Sequence, residues 1–216
     1  SKALDYFKKS LKLDLSFFGE NHPSVASGYY NIGYVYFAQG DYSKALEYFE
    51  EVLKIRLSVY GENHSRVASV YNDIGEIYSV QGDDFKALDY FKKSLKIVLS
   101  VYGENHSQVS SIYDHIGEVY FAQKDYSKAL YYFEESLKIR LSLFGENHPE
   151  VALSYYSIGS LYIIQGDKSK ALNYYEKSLK IRLSVYGENH PLTKEIMDLI
   201  NVAANSKVLQ SPETTK

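Results

Sequence analysis

Five histidines stand at one spacing: His22, His64, His106, His148 and His190 each lie 42 residues from the next. Imidazole ligates metals and moves protons near neutral pH, so the series first suggests a metal site or acid–base chemistry. Distance excludes it. Zinc holds its ligands about 2 Å away, whereas equivalent residues of stacked units lie on the order of 10 Å apart. Each histidine instead closes the tetrapeptide Gly-Glu-Asn-His, where Asn or His can cap the start of a helix. The sixth histidine, His115, lies off the series and among carboxylates. Asp73 and Glu76 are spaced i,i+3, and Asp114 and Glu118 i,i+4, so each pair shares one helical face. Protonation of His115 below about pH 6.5 would weaken that acidic field.

No nucleophile elbow, phosphate loop or HExxH occurs, so the sequence gives catalysis no support and no cofactor or metal is expected. The 23 tyrosines suggest stacking platforms for single-stranded nucleic acid. Most recur at positions that pack between helices, whereas Tyr30, Tyr34 and Tyr156 fall outside them and are candidates for exposed contacts. A net charge of −3 argues against a phosphate-backbone binder, and no nucleic-acid partner is expected. The absence of cysteine removes disulfides, thiolate metal sites and a cysteine nucleophile. No run approaches 18 apolar residues, so no membrane span is expected. The chain opens at Ser1, which leaves room for a removed targeting segment. The expected location is cytoplasmic.

The elements that must position these residues follow from the period. Gly-Glu-Asn-His begins at residues 19, 61, 103, 145 and 187, and residues 21–62 match 105–146 at 30 of 42 positions. Within a unit, Val25, Tyr29, Ile32, Tyr36 and Phe37 recur at spacings of three and four, and so do Ala45, Leu46, Phe49, Leu53 and Leu57. Each unit therefore predicts two helices of roughly 16–18 residues. Gly40, Gly82 and Gly166 fit a left-handed helix end and the following Asp fits a cap, while Lys124 must occupy that turn at some cost. Pro23, Pro149 and Pro191 fall in first turns. The expected organisation is a half unit over 1–20, four units over 21–188, a closing helix over 189–205 with Lys194, Asp198 and Asn201 outermost, and a loose tail over 206–216. The first helix is a second helix without its partner, so Tyr6, Phe7 and Leu11 should be partly uncovered. That suggests a piece of a longer array and end-to-end self-association.

The units resemble tetratricopeptide repeats. In the first, the family's aromatic, Leu-Gly, Tyr, Ala, aromatic and small positions hold Tyr29, Ile32-Gly33, Tyr36, Ala45, Phe49 and Val52. The next three units repeat the set, with Ser94, Ser136 and Ser178 at the small position. The common repeat is about 34 residues; here it is 42, and Leu57, Leu99, Leu141 and Leu183 replace the closing proline. The second helix should therefore run on, and the long repeat resembles those of kinesin light chains. The resemblance implies an all-α, right-handed α-solenoid of stacked antiparallel helix pairs. Mid-helix Gly33, Gly75, Gly117 and Gly159, at about 1 kcal/mol each relative to Ala, point to close helix contact, with Tyr and Phe filling the space around it and Ala45 and its equivalents facing them.

The resemblance also implies a non-catalytic scaffold that binds protein or peptide along the concave face of the first helices. Carried over, that face holds Tyr30, Asn31, Tyr34 and Phe37, then Asn72, Asp73 and Glu76, then Asp114, His115, Glu118 and Phe121, then Tyr156, Ser157 and Ser160. The family's carboxylate clamp keeps only Asn31, which disfavours an acidic peptide terminus. The four carboxylates suit a basic or mixed basic–apolar peptide instead. A solvated acidic face, a sensor or oligomerisation module of a larger nucleotide-switch protein, and a structural spacer are the alternatives.

Overall fold

The computed structural model describes residues 2–205; the tail expected over 206–216 lies outside them. Ten helices and no strand occur among the described residues. They are α1 (Lys2–Phe18), α2 (Pro23–Ala38), α3 (Tyr42–Tyr60), α4 (Ser65–Val80), α5 (Asp84–Tyr102), α6 (Ser107–Ala122), α7 (Tyr126–Phe144), α8 (Pro149–Gln165), α9 (Lys168–Tyr186) and α10 (Pro191–Asn205). Each helix packs on its neighbours in sequence, most extensively in the pairs α2–α3, α4–α5, α6–α7 and α8–α9. The result is a right-handed α-solenoid.

The first helices run 16 or 17 residues and the second helices 19, which run on as the missing proline suggests and slightly past the roughly 16–18 read from the loops. Without a proline to stop them, they continue until Gly61, Gly103, Gly145 and Gly187, which take positive φ. The loop histidine then starts the next helix. In all five loops its Nδ1 accepts the backbone N–H two residues on, at 3.1–3.2 Å. Its ring stacks on the aromatic four residues earlier, with centroids 4.1–4.5 Å apart. The cap is the histidine, not the asparagine. At the other turn, Asp41, Asp83, Asp125 and Asp167 accept from the N–H three residues later.

The tyrosines are largely spent on packing. In each unit one second-helix tyrosine lies between two of the first helix, as Tyr90 does with Tyr71 and Tyr78 at 5.9 and 5.6 Å. A Cβ at Gly75, Gly117 or Gly159 would come within 2.7 Å of the ring of Phe91, Phe133 or Tyr175. Aromatic rings thus fill the space at these glycines as expected, and they rather than the fully buried Ala45, Ala87, Ala129 and Ala171 make the nearest contacts. Burial runs across units. One cluster joins Leu11 to Ile77 and the next joins Val67 to Ile139, as expected when each unit has little core of its own.

The amino-terminal face differs from its expectation in one respect. Leu11 is buried against α2, where Gly28 leaves it room. Tyr6 is 71% exposed, Phe7 half-buried, and Leu13, Phe17 and Phe18 are the other large apolar groups of α1 left uncovered. Lys194, Asp198 and Asn201 of α10 are exposed. No helix among the described residues is long and apolar enough to cross a membrane.

Candidate functional site

The first helices carry most of the differences between units, and they also meet one another: α4 touches α6. Side chains bridge the two. Asn72 Oδ1 lies 3.0 Å from His115 Nδ1, and Asn72 Nδ2 donates to Glu76 Oε1 at 2.7 Å. His115 Nε2 lies 3.6 Å from that same Glu76 oxygen. Beside this bridge a cavity of about 180 Å³ is lined by Phe37, Glu76, Ser79, Val80, Phe91, His115 and Glu118. A smaller pocket adjoins it, formed by Tyr34, Phe37, Phe49, Asp73 and Glu76. Three successive units thus contribute to one recess.

Its electrostatics depart from the expected acidic stripe. Burial, then Glu76, pushes the Asp73 carboxyl up to about 7, against the pull of Tyr30 and Arg56. Glu76 and Glu118 are also raised, chiefly by burial. His115 moves the other way. Burial, helped by Arg140, lowers it to about 4, so the ring stays neutral where protonation below pH 6.5 was expected. Asp114 is not a free groove anion either. Arg140, only 5% exposed, holds it at 2.7 Å and Glu150 at 3.0 Å. Asp73 therefore changes charge near neutral pH.

The remaining expected residues divide. Tyr34 and Asn31 are exposed. Tyr30 and Tyr156 were expected to be exposed and are not. Tyr30 packs on Phe49 at 5.4 Å beneath the Arg56 guanidinium, at 5.2 Å from the ring centre. Tyr156 lies under Arg182 at 5.0 Å and donates to Glu195 at 3.2 Å. Ser160 is engaged internally, donating to the Tyr156 carbonyl and accepting from Tyr175. Phe121 meets Tyr126 edge-on at 5.9 Å, and Ser157 is half-buried. Sequence reasoning missed the arginines that reach this face from the second helices. Their signal was present: one repeat position reads Arg56, Val98, Arg140, Arg182. Among the described residues no group of three His, Asp or Glu stands close enough to hold a metal ion.

The Tetratricopeptide repeat family model matches residues 1–58, 27–97, 66–142 and 108–184, most of the chain. The chain belongs to the tetratricopeptide repeat family. Solved structures of this fold carry the likeness further. BtubC (BKLC) from P. vanneervenii superposes with a TM-score of 0.80 at 19% identity, covering 94% of this chain and 82% of that one. A putative kinesin light chain from Podospora anserina with nearly identical TPR-like repeats gives 0.71 at 17%, covering 85% and 86%. The apo form of RapI gives 0.70 at 18%, covering 82% of this tetratricopeptide-repeat chain and 62% of its own. No curated protein sequence matches.

Proposed function

We propose that the protein is a non-catalytic scaffold that takes a peptide segment, basic or mixed basic and apolar, along its first-helix face. The observation that carries this reading is the recess of about 180 Å³ between Phe37, Phe91, Val80, Glu76 and Glu118. The repeats' own side chains leave it unfilled. Its walls are aromatic and aliphatic, and its rim holds carboxylates without an arginine or lysine partner of their own. An apolar anchor beside a cation satisfies both.

A peptide library presented at neutral pH and low salt should enrich Lys- or Arg-containing sequences. The double variant Glu76→Gln/Glu118→Gln should lose that enrichment while keeping its helical circular dichroism. Enrichment of acidic peptides, or none, would refute the reading. A second reading, end-to-end association through α1, rests on the exposure of Tyr6, Leu13 and Phe17. Sedimentation of the wild type and of Tyr6→Lys/Phe17→Lys tests it: equal, concentration-independent monomers would remove it.

A further inference from the structure

At one repeat position three units carry an arginine and the second carries Val98. Each arginine crosses to the first helix of the next unit. Arg56 Nη1 donates to the Arg66 carbonyl at 2.7 Å and to Ser69 Oγ at 2.9 Å. Arg140 Nη1 donates to Ser154 Oγ at 2.8 Å while its guanidinium pairs with Asp114 and Glu150. Arg182 Nη1 donates to the Leu192 carbonyl at 2.6 Å. Three junctions are closed in this way.

At the second junction Val98 is too short to cross, and a cavity of about 110 Å³ remains. That is several times the roughly 30 Å³ share of one water. Its polar lining comes from Ser69, Asn72, Asp73, Ser94, Gln108 and Ser111. One period separates Gln108 and Ser111 from Arg66 and Ser69, the two residues that Arg56 binds, and Asn72 from Asp114, which holds Arg140. The cavity therefore corresponds to the place that an arginine head group takes at the other junctions. Asp73 Oδ2 is buried with no hydrogen-bond partner. The same side chain also lines the pocket beside Tyr34 and Phe37, so Asp73 is common to the cavity and the groove. Gln108 and Ser111 are exposed and form its mouth.

We propose that this cavity is a socket for the guanidinium of an arginine in a bound peptide, seated from outside where Arg56, Arg140 and Arg182 are seated from within. The socket rests on the peptide-groove reading and names the side chain that groove recognises. A planar fork can meet several acceptors at once, and each of the chain's own arginines meets two of the three kinds, carbonyl, hydroxyl and carboxylate, whereas an ammonium concentrates its donors at one point. Arg56 lies on the Ser69 side and offsets part of the Asp73 charge. The acceptors rather than net charge accordingly set the preference.

The test uses the whole chain and methylguanidinium chloride, followed by amide chemical shifts in NMR. Saturable shifts should be confined to Ser69–Asp73 and Gln108–Ile112, with the Asn72 and Gln108 side-chain amides moving most. Val98→Arg, which supplies the head group from within, should weaken binding by about tenfold or more. Val98→Met extends further into the same space without charge and should do likewise, which covers a failure of the arginine variant to fold. Shifts that never saturate, or that survive both substitutions, overturn the socket. The peptide library separates the two readings. Basic peptides enriched equally by wild type and Val98→Arg would refute the socket and leave the groove reading standing. Saturable methylguanidinium binding without peptide enrichment would leave a guanidinium site but overturn its peptide occupant together with the groove reading.

Discussion

The junction after α7 and the junction after α5 share a backbone and differ in what crosses them. After α7, Arg140 spans from the second helix to Asp114, Glu150 and Ser154, and is only 5% exposed. After α5, Val98 and Asn72 stand at the same repeat positions and enclose a cavity. The units keep their shape in both cases because other residues fix it: the glycine–aromatic contact, the histidine cap and the buried alanine. Once the fold rests on those, the interior of a junction is free to vary. A charged pair closes one, and a shorter side chain leaves the other open to solvent and ligand.

The largest expected effect comes from converting the closed junction into the open one. Arg140→Val alone strands Asp114 beside Glu150, and breaking such a buried pair costs about 3–5 kcal/mol. Asp114→Asn added to it recreates the Asn–Val pair of the second unit and should recover at least half of that loss. Urea unfolding of the three proteins gives the comparison. A single variant that loses under about 1 kcal/mol, within the range of surface ion pairs, would show that Arg140 is not what holds the junction.

Much of the fold could be read from the period, because a feature that recurs with each unit is a repeated measurement. The glycines, the cap histidines and the tyrosine stacks all announced themselves. The site was less legible, for a physical reason. Charge and exposure at Asp73, Asp114 and His115 depend on which second-helix side chain lies across the junction, and helical spacing does not reveal that. Arg140 turns Asp114 inward, while Val98 leaves Asp73 buried and unpaired at Oδ2. Tyr30 and Tyr156 lie off the motif, yet Arg56 and Arg182 cover them. Reading down the period at that one position would have found all four effects.

The carboxylate with one unpaired oxygen should also be visible as pH dependence. Asp73 is raised from 3.8 to about 7, so its protonated form favours folding. That contribution is complete below the unfolded value and is lost as pH rises through about 7. Tyr30, Arg56 and Glu76 are the charged or titratable groups facing it. His115, facing Glu76 and Arg140, is lowered from 6.5 to about 4 and has the opposite sign: its contribution is present above 6.5 and lost as pH falls through about 4. The two slopes oppose each other between those values. Asp73→Asn should therefore gain stability relative to wild type between pH 4.5 and 7.5, by about 2–3 kcal/mol at 1.4 kcal/mol per unit. Val98→Arg, which places a cation beside Asp73, should flatten the same difference. Parallel pH profiles for wild type and Asp73→Asn would mean that Asp73 is not isolated in the way its unpaired oxygen indicates.

The smallest effect concerns the turns inside the second and third units, where the backbone is again shared and one residue differs. Gly82 has φ 76° and Lys124 has φ 63°. Both turns close through the same bonds. Gly82 and Lys124 donate to the carbonyls of Ser79 and Phe121 at 3.0 and 2.9 Å, and the following aspartates donate to Tyr78 and Tyr120 at 2.9 Å. The left-handed conformation costs an L residue about 1–2 kcal/mol, and glycine takes it without that cost. Against this, glycine gives the unfolded chain about 0.4–1 kcal/mol more conformational freedom to lose. The strain term is the larger, so Lys124→Gly should stabilise the protein by about 0.5–1 kcal/mol, a rise in Tm of about 2–3 °C at this chain length. Gly82→Lys should cost a similar amount. If Lys124→Gly instead lowers the midpoint, the lysine side chain makes a favourable contact that outweighs its backbone strain, and the two turns differ in more than conformational freedom.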